Sequence, residues 1–161
     1  MLTIQKEVAE RICAQPKKMN PVRDKKSPIS AYSQSSRISN GMNLLAAIIQ
    51  FWAEPKIIAR LKNTDFSPPP KIDSAVLQLT TYDSRLTTRS SQPITQYSRF
   101  VRILFKQPRK TILNNLSRGL HKKKNDIMKA LKAQELSGIE RGETLDINII
   151  QNLFKIFHDR L

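Results

Sequence analysis

Three consecutive prolines, Pro68-Pro69-Pro70, limit the fold of this chain more than any other feature. Each proline fixes φ, lacks an amide donor and pushes the preceding residue toward β or polyproline geometry. Residues 66–73 are therefore predicted to form a rigid extended arm. Apolar segments at 56–61 and 75–81 flank the arm and are predicted strands, so the arm joins two strands at a sheet edge.

The residues before the arm predict a strand at 1–4 and a helix at 5–14. Cys13 falls on the apolar stripe of that helix and is best explained by packing. Residues 15–41 hold three prolines, many serines and little apolar periodicity, which predicts a disordered insertion at 20–43. The apolar stretch at 42–52 is predicted to be a buried helix.

Residues beyond the arm are predicted to be helical. A Ser-, Thr- and Pro-rich linker at 84–95 precedes a helix at about 96–120, which Pro108 is expected to kink or break, with a new start near Arg109. A second helix is predicted at about 125–136 and a third from Asp146, a good N-cap.

Positive charge is concentrated in the helical part. The 161 residues carry 28 Lys and Arg against 13 Asp and Glu, a formal charge of +15. Residues 97–132 hold 11 basic side chains against Asp126 alone. Such a field attracts phosphate backbones and predicts nucleic-acid binding, with a merely solubilising surface as the alternative.

Several classes of protein are excluded or disfavoured. The longest apolar run, 44–49, is too short to span a membrane, and charged residues interrupt the amino terminus, so no signal peptide is predicted. Cys13 is the single cysteine, so the chain cannot form an internal disulfide. We therefore expect a cytoplasmic protein.

The residues alone predict no catalytic, cofactor-binding or metal-binding site. The chain has four glycines and no glycine-rich phosphate loop, and His121, His158 and Cys13 lack metal-ligand spacing. Glu140 and Glu143 precede a helix start, where compensation of the helix dipole explains them. On these grounds the chain is a basic binding module.

Four groups of residues, in order, resemble a known family: 2–12, 66–76, 105–110 with 114–116, and 141–145. Together they resemble the carboxy-terminal portion of small-subunit ribosomal RNA adenine dimethyltransferases. The most distinctive piece is the proline arm that runs into Lys-Ile-Asp-Ser-Ala-Val. The resemblance covers nearly the whole chain apart from 20–43.

The resemblance implies methyl transfer from S-adenosylmethionine to N6 of adenines in ribosomal RNA. The implied fold is α+β, a carboxy-terminal remnant of a Rossmann-like methyltransferase α/β sheet at 1–83, then the linker at 84–95 and an all-α RNA-binding domain at 96–161. In the family, the glycine-rich cofactor loop and the Asn-Leu-Pro-Tyr type motif lie upstream of the segment that matches Met1. The chain alone is therefore expected to be inactive unless a separate amino-terminal fragment supplies them.

The resemblance also assigns roles to single residues. Phe66, with Pro68 beside it, would pack against the adenine flipped out of its helix; the alternative is that Phe66 only plugs the sheet edge. Pro108 stands where the family usually has a basic residue. The expected contacts with ribosomal RNA in the small subunit come from Lys71, Arg99, Arg102, Lys106, Arg109, Lys110, Arg118, Lys122, Lys123 and Lys124.

Two further hypotheses remain beside the methyltransferase fragment. One is a stand-alone RNA-binding module without catalysis. The other is an inactive product of an interrupted gene, which the insertion-like segment and the abrupt start favour.

Overall fold

The computed structural model describes residues 1–16, 41–82 and 92–158, and in these ranges the fold is α+β. It contains three strands and six α-helices, none of which is long and apolar enough to cross a bilayer. In chain order the elements are β1 (Leu2–Gln5), α1 (Lys6–Ile12), α2 (Leu44–Gln50), β2 (Ala53–Leu61), β3 (Ser74–Thr81), α3 (Gln92–Leu104), α4 (Ile112–Gly119), α5 (Lys124–Lys132) and α6 (Ile147–Phe157), with short 3₁₀ helices at Asn63–Asp65 and Gly142–Thr144.

The three strands form an antiparallel sheet in the order β1-β3-β2. Leu77 of the central strand pairs with Leu2 on one side and with Ile57 on the other. Helix α1 packs on this sheet through the buried residues Ala9 and Ile12. The predicted strands are confirmed, although β2 begins three residues before the expected position because its first residues pair with the end of β3.

Side-chain caps explain where two of the helices begin. Asp146 Oδ1 accepts a hydrogen bond from Asn148 N (2.8 Å), which confirms the predicted start of α6. Asn43 Oδ1 accepts from the amides of Leu45 and Ala46, both at 3.1 Å. Each cap satisfies amides that have no partner within the helix.

An aromatic cluster forms the centre of the helical core. Phe51 stacks on Tyr97 with ring centroids 3.9 Å apart, and Phe154 meets both rings edge-on. The hydroxyl of Tyr97 donates to the backbone oxygen of Ala47 in α2 (3.1 Å). Helix α2, which the sequence prediction assigns to the 1–83 unit, thus lies in the same core as α3 and α6.

Gln50, at the end of α2, joins α2 to the end of α1. Its buried Nε2 donates to the backbone oxygens of Ile12 (2.9 Å) and Ala14 (3.0 Å). These bonds hold the last carbonyl of α1 and one just beyond it against α2. The sheet unit and the helical core are therefore in direct contact through α2.

Other boundaries also differ from the sequence prediction. Helix α3 begins at Gln92, because the last residues of the expected linker 84–95 continue its first turn; 83–91 lie outside the described residues. Of the predicted insertion 20–43, residues 41–43 are ordered: Met42 is buried, and its amide donates to Glu143 O (3.0 Å). The rest of that segment lies outside the described residues.

Glu140 does not cap a helix dipole as the sequence prediction had it. Its carboxylate accepts bonds from Ser137 N, Ser137 Oγ and Gly138 N at 2.7–2.8 Å, which folds the loop that follows α5. Its backbone oxygen accepts from Ile112 N (2.8 Å) at the start of α4. Partial burial alone would raise the pKa of Glu140, but these hydrogen bonds outweigh it and lower the pKa.

We expect Glu140 to add a pH-dependent term to stability. Because the folded-state pKa is lowered, its contribution is complete above the ordinary carboxyl pKa of about 4.3 and is lost as pH falls through the folded-state value. Urea unfolding of wild type and Glu140→Gln between neutral pH and pH ~3 measures the term, which should stay below about 1 kcal/mol in an exposed loop. The control is Glu135→Gln; equal pH dependence in wild type and both variants would contradict the prediction.

Candidate nucleic-acid interface

Pro108 breaks the long helix predicted around it, as expected. Helix α3 ends at Leu104 and α4 begins at Ile112. Between them, the amide of Lys110 donates to Gln107 O (2.9 Å), which closes a four-residue turn with Pro108 at its second position, where the fixed φ of proline suits a turn. The turn exposes Arg109 and Lys110.

Asn115 holds this turn in place. Its buried Nδ2 donates to Leu104 O (2.9 Å) at the end of α3 and to Gln107 O (3.1 Å) at the start of the turn. The first bond satisfies a carbonyl that the end of α3 leaves without a helical partner. Asn115 therefore fixes the direction of α4 against α3 and the position of Arg109 and Lys110.

Arg99, Arg102 and Lys106 form a second exposed group along α3. Their spacing, i, i+3 and i+7, places them on one face. Lys106 lies just beyond the helix, but its amide donates to Ile103 O (3.2 Å), which continues the helical turn. Lys106 therefore stays on the same face as Arg99 and Arg102, and these three residues form the α3 row. The row ends beside the turn that carries Arg109 and Lys110.

A third basic group surrounds the start of α5. Lys123 is the N-cap residue and makes no side-chain cap bond, and Lys122 and Lys124 flank it. Cations oppose the positive end of the helix dipole, so these lysines disfavour the helix that they begin, and Asp126 in the first turn offsets this only in part. Such an arrangement favours an anionic ligand at this position.

The predicted RNA-binding cations are not neutralised by neighbouring carboxylates. Within 1–16, 41–82 and 92–158, the ion pair present is Lys6–Asp73, with Nζ and Oδ2 3.8 Å apart. Nine of the ten predicted cations lie on α3 to α5 and their connections, with Arg118 in the last turn of α4. The structure thus gathers these nine on consecutive helical elements.

Phe66, Pro68 and Lys71 lie elsewhere, on the connection between β2 and β3. Phe66 is half-buried, Pro68 and Lys71 are exposed, and the Ser67-Pro68 peptide is cis. Asp73 ties this arm to α1, because its backbone oxygen accepts from Lys6 N (3.1 Å) and its carboxylate from Asn63 N (3.2 Å). The roles assigned to these three residues remain predictions.

The glycines and the possible metal-ligating side chains are all accounted for by packing or lie apart from one another in the described ranges. All four glycines abut another part of the chain; a Cβ on Gly41 would lie 3.0 Å from Glu143 O, and one on Gly142 would lie 2.9 Å from the ring of Phe105. In the described ranges, no three His, Cys, Asp or Glu side chains group as metal ligands. Burial raises the pKa of the half-buried Cys13 thiol, consistent with packing.

Sequence reasoning missed the polar residues that join the helices to one another. Asn43 carried a usable signal, a good N-cap residue directly before an apolar run. Gln50 and Asn115 carried none, since each bonds to carbonyls that only the tertiary fold brings near.

We expect Asn115→Ala to lower the free energy of unfolding by about 1–3 kcal/mol, because Leu104 O loses the donor of a buried hydrogen bond. Urea unfolding measures the loss. Asn114→Ala is the matched control, since the Asn114 amide bonds only to Thr111 Oγ1 (3.0 Å) within its own first turn. Equal losses in the two variants would show that Asn115 does not fix the α3–α4 turn.

Comparison with known proteins places the chain in a family. The family model described as "Ribosomal RNA adenine dimethylase" matches residues 33–153. "Ribosomal RNA small subunit methyltransferase A" of Geobacillus thermodenitrificans is 32% identical over 171 residues, which cover 97% of this chain and 49% of that protein. The protein of the same name from Caldanaerobacter subterraneus is 33% identical over 150 residues, covering 93% and 47%. The chain spans about half the length of the curated relatives that it matches.

A solved structure supports the fold. The crystal structure of a dimethyladenosine transferase from Plasmodium falciparum aligns with a TM-score of 0.69 and 19% identity, covering 99% of this chain and 56% of that one. At this identity the likeness concerns the fold alone. The sequence match, which extends over most of the chain, shows that the chain belongs to the ribosomal RNA adenine dimethylase family.

Proposed function

We propose that this chain is the carboxy-terminal part of an S-adenosylmethionine-dependent enzyme that methylates N6 of adenines in small-subunit ribosomal RNA. The observation that carries the proposal is the family match over 33–153, which includes both the arm and the basic helices. The names of the relatives supply the substrate, ribosomal RNA of the small subunit. In this proposal, the 1–83 unit is the end of a Rossmann-like catalytic sheet and 96–161 binds RNA.

The basic helices would hold the RNA by its phosphates. The α3 row, the Pro108 turn and the start of α5 expose cations without acidic partners among the described residues. Phosphate contacts of this kind position a protein on RNA without reading its sequence. The lysines around Lys123 support this role because they oppose the helix dipole.

Phe66 and Pro68 would form the wall beside the target adenine. An aromatic face can restore the stacking that a flipped base loses, and the bonds of Asp73 to Asn63 and Lys6 hold the arm at the sheet. In this role Phe66 touches the substrate base and does not transfer the methyl group.

The described residues do not fit S-adenosylmethionine. Each glycine is used for close packing, so none is free to let a backbone approach the cofactor. We therefore propose that cofactor binding comes from a separate amino-terminal segment and that the chain alone is inactive. The lack of fit equally favours the second candidate, an RNA-binding module without catalysis, and methyl transfer separates the two.

The proposed RNA binding predicts that removing two lysines at the start of α5 lowers RNA affinity without lowering stability. Lys123→Ala/Lys124→Ala should weaken RNA binding at low salt and reduce the slope of log affinity against log salt by about 1.4 to 1.8, at roughly 0.7 to 0.9 for each lost phosphate contact. The same variant should not lose stability, because it removes charges that oppose the dipole of α5. Fluorescence anisotropy over a salt titration and urea unfolding provide the two measurements.

The matched control is Lys56→Ala/Arg60→Ala, which removes two exposed cations from β2. Its salt slope should equal that of the wild type. An equal reduction in both double variants would mean that the helices are not the RNA-binding face.

The catalytic role predicts complementation. The amino-terminal half of the Geobacillus thermodenitrificans relative, mixed with this chain, should transfer labelled methyl groups from S-adenosylmethionine to small-subunit ribosomal RNA, and neither part should do so alone. Phe66→Ala should reduce that transfer at least tenfold, while the exposed control Ile58→Ala should not. RNA binding without methyl transfer in the mixture would favour the non-catalytic module.

A further inference from the structure

A cleft of about 620 Å³ opens where α1, α2 and α3 meet, and the proposed function does not use it. Its walls come from the end of α1, the start of α2 and the residues just before it, the end of α3 with the connection after it, and the 3₁₀ helix at Gly142–Thr144. The residues that define this α1–α3 cleft for the argument are Arg11, Leu45, Ile48, Arg102, Phe105 and Pro108.

The walls of the cleft are held together by hydrogen bonds. Asn43 Nδ2 donates to Arg11 O (2.8 Å), which ties the start of α2 to the end of α1. Met42 N donates to Glu143 O (3.0 Å), and Gly41 lets the two segments approach closely. The cleft is therefore formed before any ligand arrives, which lowers the ordering cost of binding.

The lining of the cleft is mostly apolar and includes two arginine side chains. Leu45, Ile48, Phe105 and Pro108 contribute carbon surface. Arg11 and Arg102 are exposed and bring two guanidinium groups against the one carboxylate of Glu143, so the charged part of the lining is net positive. The volume lies within the roughly 300–1,000 Å³ of sites that enclose small organic groups. A flat apolar group that carries a negative charge matches this lining.

We propose that the α1–α3 cleft binds one unstacked nucleotide of the RNA, with its base against the apolar wall and its phosphate near Arg11 and Arg102. This rests on the proposed RNA binding, because Arg102 also belongs to the α3 row with Arg99 and Lys106. The row leads an RNA backbone to the cleft, and the formal charge of +15 favours a polyanion over an acidic protein segment. The cleft thus gives the protein a preference for single-stranded RNA, since a base in a duplex cannot enter.

The test compares two exposed apolar residues. Leu45→Ser removes apolar surface from the cleft, and Ile139→Ser removes it from a loop outside, at side chains that are 38% and 70% exposed. Affinity is measured by anisotropy for a short single-stranded RNA and for the same sequence in a blunt duplex. Leu45→Ser should weaken single-strand binding about fivefold or more, with its salt slope and the duplex affinity unchanged, while Ile139→Ser changes neither.

Arg11→Ala provides a second variant. Arg11 lies outside the basic helices, so its removal should lower the single-strand salt slope by about 0.7 and leave the duplex slope unchanged. Thermal unfolding confirms that each variant is folded.

The outcomes separate this inference from the proposed RNA binding. If the wild type binds neither RNA at low salt, both the cleft proposal and the proposed RNA binding are wrong. If it binds RNA but Leu45→Ser matches Ile139→Ser, or weakens both RNAs equally, the cleft proposal is overturned and the helical interface stands. If a leucine-containing acidic peptide binds the wild type and loses affinity in Leu45→Ser while RNA does not, the occupant is a protein segment and the proposal is also overturned.

Discussion

The stacking of Phe51 on Tyr97 is the contact on which the rest of the arrangement depends. Phe51 lies between α2 and β2, and Tyr97 lies in α3, so the stacked rings join the sheet side of the chain to the helical side. Phe154 closes the cluster edge-on, a favourable geometry for aromatic rings, and the buried Tyr97 hydroxyl has a hydrogen-bond partner in Ala47 O. Because the two sides share this core, α2 is held against α3, and the cleft lies where these helices meet the end of α1.

The elements of this fold were largely predictable, because their signals are local. Asp146 marked a helix start, and Pro108 marked a break that the structure resolves into a turn. The proline run marked the connection between β2 and β3, but the prediction of an extended arm at 66–73 was wrong, because the chain bends at 66–68 and 71–72 and the Ser67-Pro68 peptide is cis. Hydrophobic periodicity predicts that a segment is buried, but it does not predict which elements the segment packs against. The stretch at 42–52 was predicted to be buried, but nothing in its sequence says that it packs against α3 and α6 as well as against the sheet.

The candidate interface was predictable in its composition and not in its construction. The count of charged residues predicted where the basic helices lie, and the family resemblance pointed to Phe66 as a candidate site residue. The residues that position those groups, Asn115 for the turn and Asp73 for the arm, act through backbone carbonyls and amides that lie outside their own helix or strand. Their bonds depend on tertiary approach, which amino-acid type alone does not encode.

The bonds between α1 and α2 have a consequence for how this family of folds can vary. Arg11 O and Ala14 O are held by Asn43 and Gln50, so the chain leaves and re-enters the core at two points that are fixed close together. The entropy of closing a loop rises only with the logarithm of its length, about 0.6 kcal/mol for each doubling. Once the anchors are set, the connection between them can gain or lose many residues at little thermodynamic cost, which makes this junction a natural site for length variation between relatives.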